Sequence, residues 1–136
     1  LWAVWTLATY ALLHSSLWHL FTNMLGLFFF GPEVERTVGS RQFLYLYFGS
    51  AAAGALAGSL LGPLFGHAYI VGASGACMGV LAAFAVIAPN RQVYLFPLPV
   101  PLTARGLVIL VIVLNLITAT DLGGLTAWTA HLGGLA

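Results

Sequence analysis

Apolar residues fill this chain in long runs, and short polar links mark where each run stops. Leu1 to Leu13 is apolar and carries the rings Trp2, Trp5 and Tyr10, residue types that favour a membrane–water interface. A first helix is expected from about Ser15 to Phe30, ended by Gly31-Pro32. The link Glu33–Gln42 follows, with Glu33, Glu35, Arg36 and Arg41. A second helix is expected over Phe43–Leu61, where Gly54, Gly58 and Gly62 recur every four residues and offer a small face for close packing. After an irregular link with Pro63, Gly66, His67 and Tyr69, Ser74 opens a third helix that runs to about Ala88, with Gly75, Gly79 and Ala83 as its small face. A proline-rich link follows, then a fourth helix over about Ala104–Ile117 with Asn115 near its end. The Asp121 loop leads to a fifth helix from about Thr126, bearing His131, Gly133 and Gly134.

Composition turns this pattern into an all-α, polytopic transmembrane bundle. Of the 136 residues, 61% are hydrophobic and 5% charged, against roughly 25% charged in soluble domains. Such a chain cannot cover itself in water, and helices are the default way to span a bilayer. Residues 1–136 are read as one transmembrane domain. A net charge of +1 without a basic patch gives nucleic acid no footprint. The single cysteine, Cys77, excludes an intrachain disulfide and a cysteine-cluster metal site. The chain starts at Leu1 and stops a few residues into an apolar run, so it is expected to be part of a longer membrane protein.

Sidedness follows from the arginines. Arg36, Arg41, Arg91 and Arg105 fall in the links after the first and third helices, which an up-down bundle puts on one side. By the positive-inside rule that side is cytoplasmic. The third helix, fifteen residues at about 1.5 Å each, spans roughly 22 Å, short of the ~30 Å hydrocarbon core. Its Arg91 end must reach the interface, because a charge in hydrocarbon costs several kcal/mol. The Ser74 end is therefore expected below the extracytoplasmic surface, under a folded-in Gly62–Val71 link over a hydrated cavity.

Ser74 stands in Gly72-Ala73-Ser74-Gly75-Ala76. Its hydroxyl is a weak nucleophile until a base takes the proton, and His131 is the right type of base at a similar depth. His19 and Asn23 are four residues apart, share a helix face and can both point at one oxyanion. The Ser74 N–H at a helix start adds a further donor. Gly72 and Gly75 allow a tight turn and close approach of substrate. With Asp121 in a loop, no buried aspartate is available to orient His131, so a Ser-His dyad is expected. His14, at the mouth of the first helix, is expected to be supporting and off the His19 face. His67 is expected to be a solvated loop residue.

Together these residues resemble the rhomboid family of intramembrane serine proteases. The resemblance rests on Trp5-Thr6-Leu7, on His14-Ser15-Ser16-Leu17-Trp18-His19-Leu20-Phe21-Thr22-Asn23, and on Glu35 with Gly39-Ser40. It continues through Gly72-Ala73-Ser74-Gly75 and Ala130-His131-Leu132-Gly133-Gly134. It implies six or more helices, a Ser74–His131 dyad, and an oxyanion site from His19, Asn23 and the Ser74 N–H. It further implies transmembrane protein substrates, cleaved near their extracytoplasmic end, with no metal or other cofactor. The expected setting is a bacterial inner membrane. Two departures stand out: Trp5-Thr6 replaces a common Trp-Arg, and Met78 stands where a ring often packs on the histidine. Against the family's core, the first helix is expected to be absent and the last cut short. The alternatives are a non-catalytic rhomboid-like protein that binds or escorts membrane clients, a transporter, and a metal site of His14, His19 and His131. Apolar Met24–Phe30 and Val80–Ile87 speak against a transport pathway, and the missing carboxylate or thiolate ligands speak against the metal.

Overall fold

The computed structural model describes residues 5–61, 72–95, 100–121 and 128–136; for residues 8, 118–121 and 128 it describes the backbone alone. A short helix α1, Thr6–Thr9, runs into a 3-10 turn, Tyr10–Leu12. Then come α2 (Leu17–Val38), α3 (Ser40–Leu61), α4 (Ser74–Ile87), α5 (Ala104–Asp121) and α6 (Trp128–Leu135). The five helices expected from the sequence correspond to α2–α6, and they form a helical bundle of the transmembrane type. Large apolar side chains such as Phe28, Phe29 and Ile109 stand exposed on its outside, where lipid rather than water is the matching solvent. By length and hydropathy together, α3 is the one described helix that qualifies as a membrane crossing by itself. The expected irregular link over Gly62–Val71, with His67, lies outside the described residues.

Packing explains which helices sit inside. Around α4, α3 and α6 approach closely because glycines face one another. A Cβ on Gly54 would meet the Ala130 carbonyl, and one on Gly134 would meet the Gly75 backbone. A Cβ on Gly79 would collide with the Ser50 side chain. Without side chains between them, backbones come near enough for dispersion contacts to hold helices together in lipid. Beside this contact lies a buried cluster of small residues and one ring: Tyr10, Ala11, Ala51, Ala55 and Ala76. The other end of α4 packs bulkier residues, with Val34, Val80, Phe84, Ala85 and Ala104 buried together. The Tyr10 hydroxyl donates to the Ala51 carbonyl at 2.8 Å, tying the 3-10 turn to α3.

Two boundaries differ from expectation. Gly31-Pro32 does not end the first helix: α2 runs through Pro32 to Val38, so most of the charged link is helical. Pro32 forfeits one backbone bond, but Val34 is fully buried in the second cluster and rewards continuing the helix. Arg36 Nε donates to the Pro32 carbonyl at 2.9 Å, and Thr37 Oγ1 to the Glu33 carbonyl at 2.9 Å. The break falls instead at Gly39, whose φ of +88° is costly for any residue with a Cβ. The link after α4 also contains structure: Gln92–Val93 pairs antiparallel with Leu102–Thr103 as strands β1 and β2.

The two arginine-bearing regions do meet at one end of the bundle. Arg91 Nη2, after α4, lies 3.0 Å from Glu33 Oε1 on α2. Contacts also give the level of Ser74 along α3. Gly54 of α3 faces Gly75, and α3 continues from residue 54 to Leu61. Those seven residues add roughly 10 Å beyond the level of Ser74.

Candidate active site

Ser74 is the first residue of α4, half-buried, and follows the buried Gly72 and Ala73. Gly72 holds φ at +108° and donates its N–H to the Tyr10 carbonyl at 3.1 Å, which pins the entry to α4 against the 3-10 turn. The first-turn N–H groups of a helix have no intrahelical acceptor, so the Ser74 N–H faces outward as a donor. Ala73 supplies no side-chain cap that would occupy it.

His131, the fourth residue of α6, faces this hydroxyl. Its Nε2 is 2.8 Å from Ser74 Oγ. The other ring nitrogen, Nδ1, is 2.6 Å from Oδ1 of Asn115 on α5. The Asn115 amide nitrogen donates in turn to the Val111 carbonyl at 2.8 Å. Ser74, His131 and Asn115 thus form a chain of contacts across three helices. From the sequence, Asn115 is a polar residue near a helix end, and the expectation of a dyad weighs only a buried aspartate as a partner for His131. The signal was present, since a lone Asn in a run of apolar residues is costly in lipid without a partner.

His19 and Asn23 line the other flank. Ser16 caps α2 by accepting the His19 N–H at 3.1 Å, so His19 sits in the first turn of the helix rather than deeper. Its ring lies over Gly72, where any Cβ would collide with it. Ser15 Oγ is 3.0 Å from His19 Nδ1. Asn23 is buried, its carbonyl 3.6 Å from the Cys77 thiol on the first turn of α4. The buried Asn23 Nδ2 has no hydrogen-bond partner among the described residues. His14 departs from expectation. It precedes the helix, so helical spacing does not apply, and its ring meets that of His19 edge-on at 5.2 Å. Met78 is half-buried on α4, one turn below Ser74. Gly75 is buried against Gly54 and Ala130.

A cavity of about 790 Å³ lies at the other end of α4, lined by Phe29, Phe30, Phe84, Arg91 and Tyr94 among others. Its lining has no Ser, Thr or Cys and does not include Ser74. No group of three or more His, Cys, Asp or Glu suited to a metal occurs among the described residues.

The family model for the Rhomboid domain matches residues 1–136. The chain belongs to the rhomboid family. It is 38% identical over 125 residues to Rhomboid protein 1, mitochondrial, of Saccharomyces cerevisiae, covering 89% of this chain and 36% of that relative. It is 33% identical over 152 residues to RHOMBOID-like protein 12, mitochondrial, of Arabidopsis thaliana, covering 96% and 43%. With Rhomboid protease GluP of Bacillus subtilis it shares 33% over 132 residues, 96% of this chain and 24% of the relative. The chain spans less than half the length of these relatives. No solved structure matches it. Membership in this membrane-embedded family fits the helical bundle. The expected bacterial inner membrane finds no such support, because two of these rhomboid relatives are mitochondrial by name.

Proposed function

We propose that this rhomboid chain carries the active site of an intramembrane serine endopeptidase that cleaves transmembrane substrates near their extracytoplasmic end. The single observation behind this reading is the 2.8 Å approach of His131 Nε2 to Ser74 Oγ at the mouth of a short helix. In the proposed reaction Ser74 Oγ attacks the scissile carbonyl carbon while its proton passes to His131 Nε2. The carbonyl oxygen becomes an oxyanion, held by the Ser74 N–H, Asn23 Nδ2 and His19 Nε2. If the Ser15 hydroxyl donates to His19 Nδ1, the ring proton resides on Nε2, the nitrogen needed as donor. His131 then gives its proton to the departing amide nitrogen; water, deprotonated by His131, attacks the acyl carbon, and His131 returns that proton to the departing Ser74 Oγ. Residues 1–136 act in this reading as part of one transmembrane domain, open to the side away from the arginines.

The test is covalent labelling of the detergent-purified protein by a fluorophosphonate, beside Ser74→Ala and His131→Ala. Labelling of the wild type alone is expected. Equal labelling of all three would refute the protease reading and leave client binding as the function to pursue.

A further inference from the structure

We infer that Asn115 is a positioning residue for His131, fixing from α5 which ring nitrogen carries the proton. The inference rests on the proposed roles of Ser74 and His131. Asn115 touches the imidazole on the side away from Ser74, at 2.6 Å from Nδ1.

The direction of its amide follows from its contact with Val111. Val111 offers a backbone carbonyl, which only accepts, so the group 2.8 Å from it is the NH₂. That leaves Oδ1 toward His131. An amide oxygen also only accepts, so Nδ1 must be the protonated nitrogen of the neutral ring. Nε2 then holds the lone pair, and it is this atom that lies 2.8 Å from Ser74 Oγ. The opposite tautomer would put a lone pair against Oδ1 and an N–H against the serine. It would both lose the Asn115 bond and remove the base. Asn115 thus does by its carbonyl what a buried carboxylate does elsewhere, without placing a second charge in the bilayer. When His131 takes the serine proton, Nδ1–H stays donated to Oδ1, so the ring keeps its orientation through the proton transfer.

Because Asn115 stands on α5 and the two groups it serves stand on α6 and α4, the alignment depends on α5 remaining in place. Asn115→Leu keeps the branched shape and removes the acceptor. Asn115→Asp keeps an acceptor at the same place. The fluorophosphonate labelling rate of Asn115→Leu is expected to fall roughly 10- to 100-fold, part of the 10²–10⁴ that a positioned base supplies. Asn115→Asp is expected to stay within about threefold of wild type, as carboxylates fill this role elsewhere. A direct readout uses ¹⁵N NMR of ring-labelled histidine in the wild type, with His131→Ala assigning the signal. A protonated Nδ1 and a bare Nε2 are expected. A bond that merely held α5 to α6 would lower stability in Asn115→Leu without moving the tautomer.

A wild-type His131 protonated at Nε2 would overturn the inference whether or not any variant folds. Wild-type labelling by Asn115→Leu beside an unlabelled Ser74→Ala would overturn it alone. Equal labelling of wild type and Ser74→Ala would instead overturn the protease reading, and this role with it.

Discussion

A single methyl group at Gly134 should separate the helices that carry the candidate nucleophile and base. In Gly134→Ala the new Cβ would fall 2.6 Å from the Gly75 carbonyl carbon and 2.8 Å from its Cα. Carbon atoms rest at about 3.5 Å, and both groups are backbone, so no rotamer change relieves the contact. Helix α6 must then move off α4 by about 0.9 Å, and overpacking of this kind costs about 1–3 kcal/mol. Ser74 adjoins Gly75, and His131 is three residues before Gly134, so the same displacement reaches the Ser74–His131 pair. Its 2.8 Å becomes about 3.7 Å, outside hydrogen-bond range. A misplacement near 1 Å can cost on the order of 100-fold, equivalent to about 2.7 kcal/mol of transition-state stabilisation. The assay pairs the fluorophosphonate labelling rate with the midpoint of unfolding in detergent. Gly26→Ala is the control, because a Cβ there meets nothing within 4 Å. It should label normally and gain about 0.5–1 kcal/mol from helix propensity. A Gly134→Ala protein with wild-type stability and labelling would refute the close-packing account of this site.

Gly72→Ala should abolish most labelling, since the new Cβ is strained at φ +108° and collides with the His19 ring; labelling at the wild-type rate would show that neither constraint matters. Ser16→Ala should cost about 1 kcal/mol by removing the cap of α2, read as a lower unfolding midpoint. Arg91→Ala should change stability by less than about 1 kcal/mol and leave labelling intact, because the pair with Glu33 is a partly exposed ion pair far from Ser74.

Helix α4 was legible to within a residue because both its ends carry strong local signals, a glycine-flanked serine and a proline. The end of α2 was not, because Gly-Pro reads as a stop whenever burial beyond it is invisible. Val34 is fully buried only because α4 and Ala104 stand beside it, and no local pattern announces that. Strands β1 and β2 have two residues each, too short for alternation to register. That the two arginine links share an end holds with the longer α2, because the Arg91–Glu33 contact joins them.

The site was legible where its geometry is helical and opaque where it is tertiary. His19 and Asn23 share a face by arithmetic alone. His14 is expected off that face by the same arithmetic, which fails because residues 13–16, between the 3-10 turn and α2, are not helical. Asn115 shows the sharper limit. Its spacing on α5 relates it to neighbours on its own helix such as Val111, and the contact with His131 exists because α5 and α6 meet. A carboxylate in that place would have to be desolvated in the bilayer. The cost of a charge at membrane depth favours a neutral acceptor. The same cost suits the polar groups that meet at His131 among the described residues, which are the uncharged Ser74 hydroxyl and Asn115 amide. A site made from such groups can sit roughly 10 Å below the end of α3 without a counter-ion.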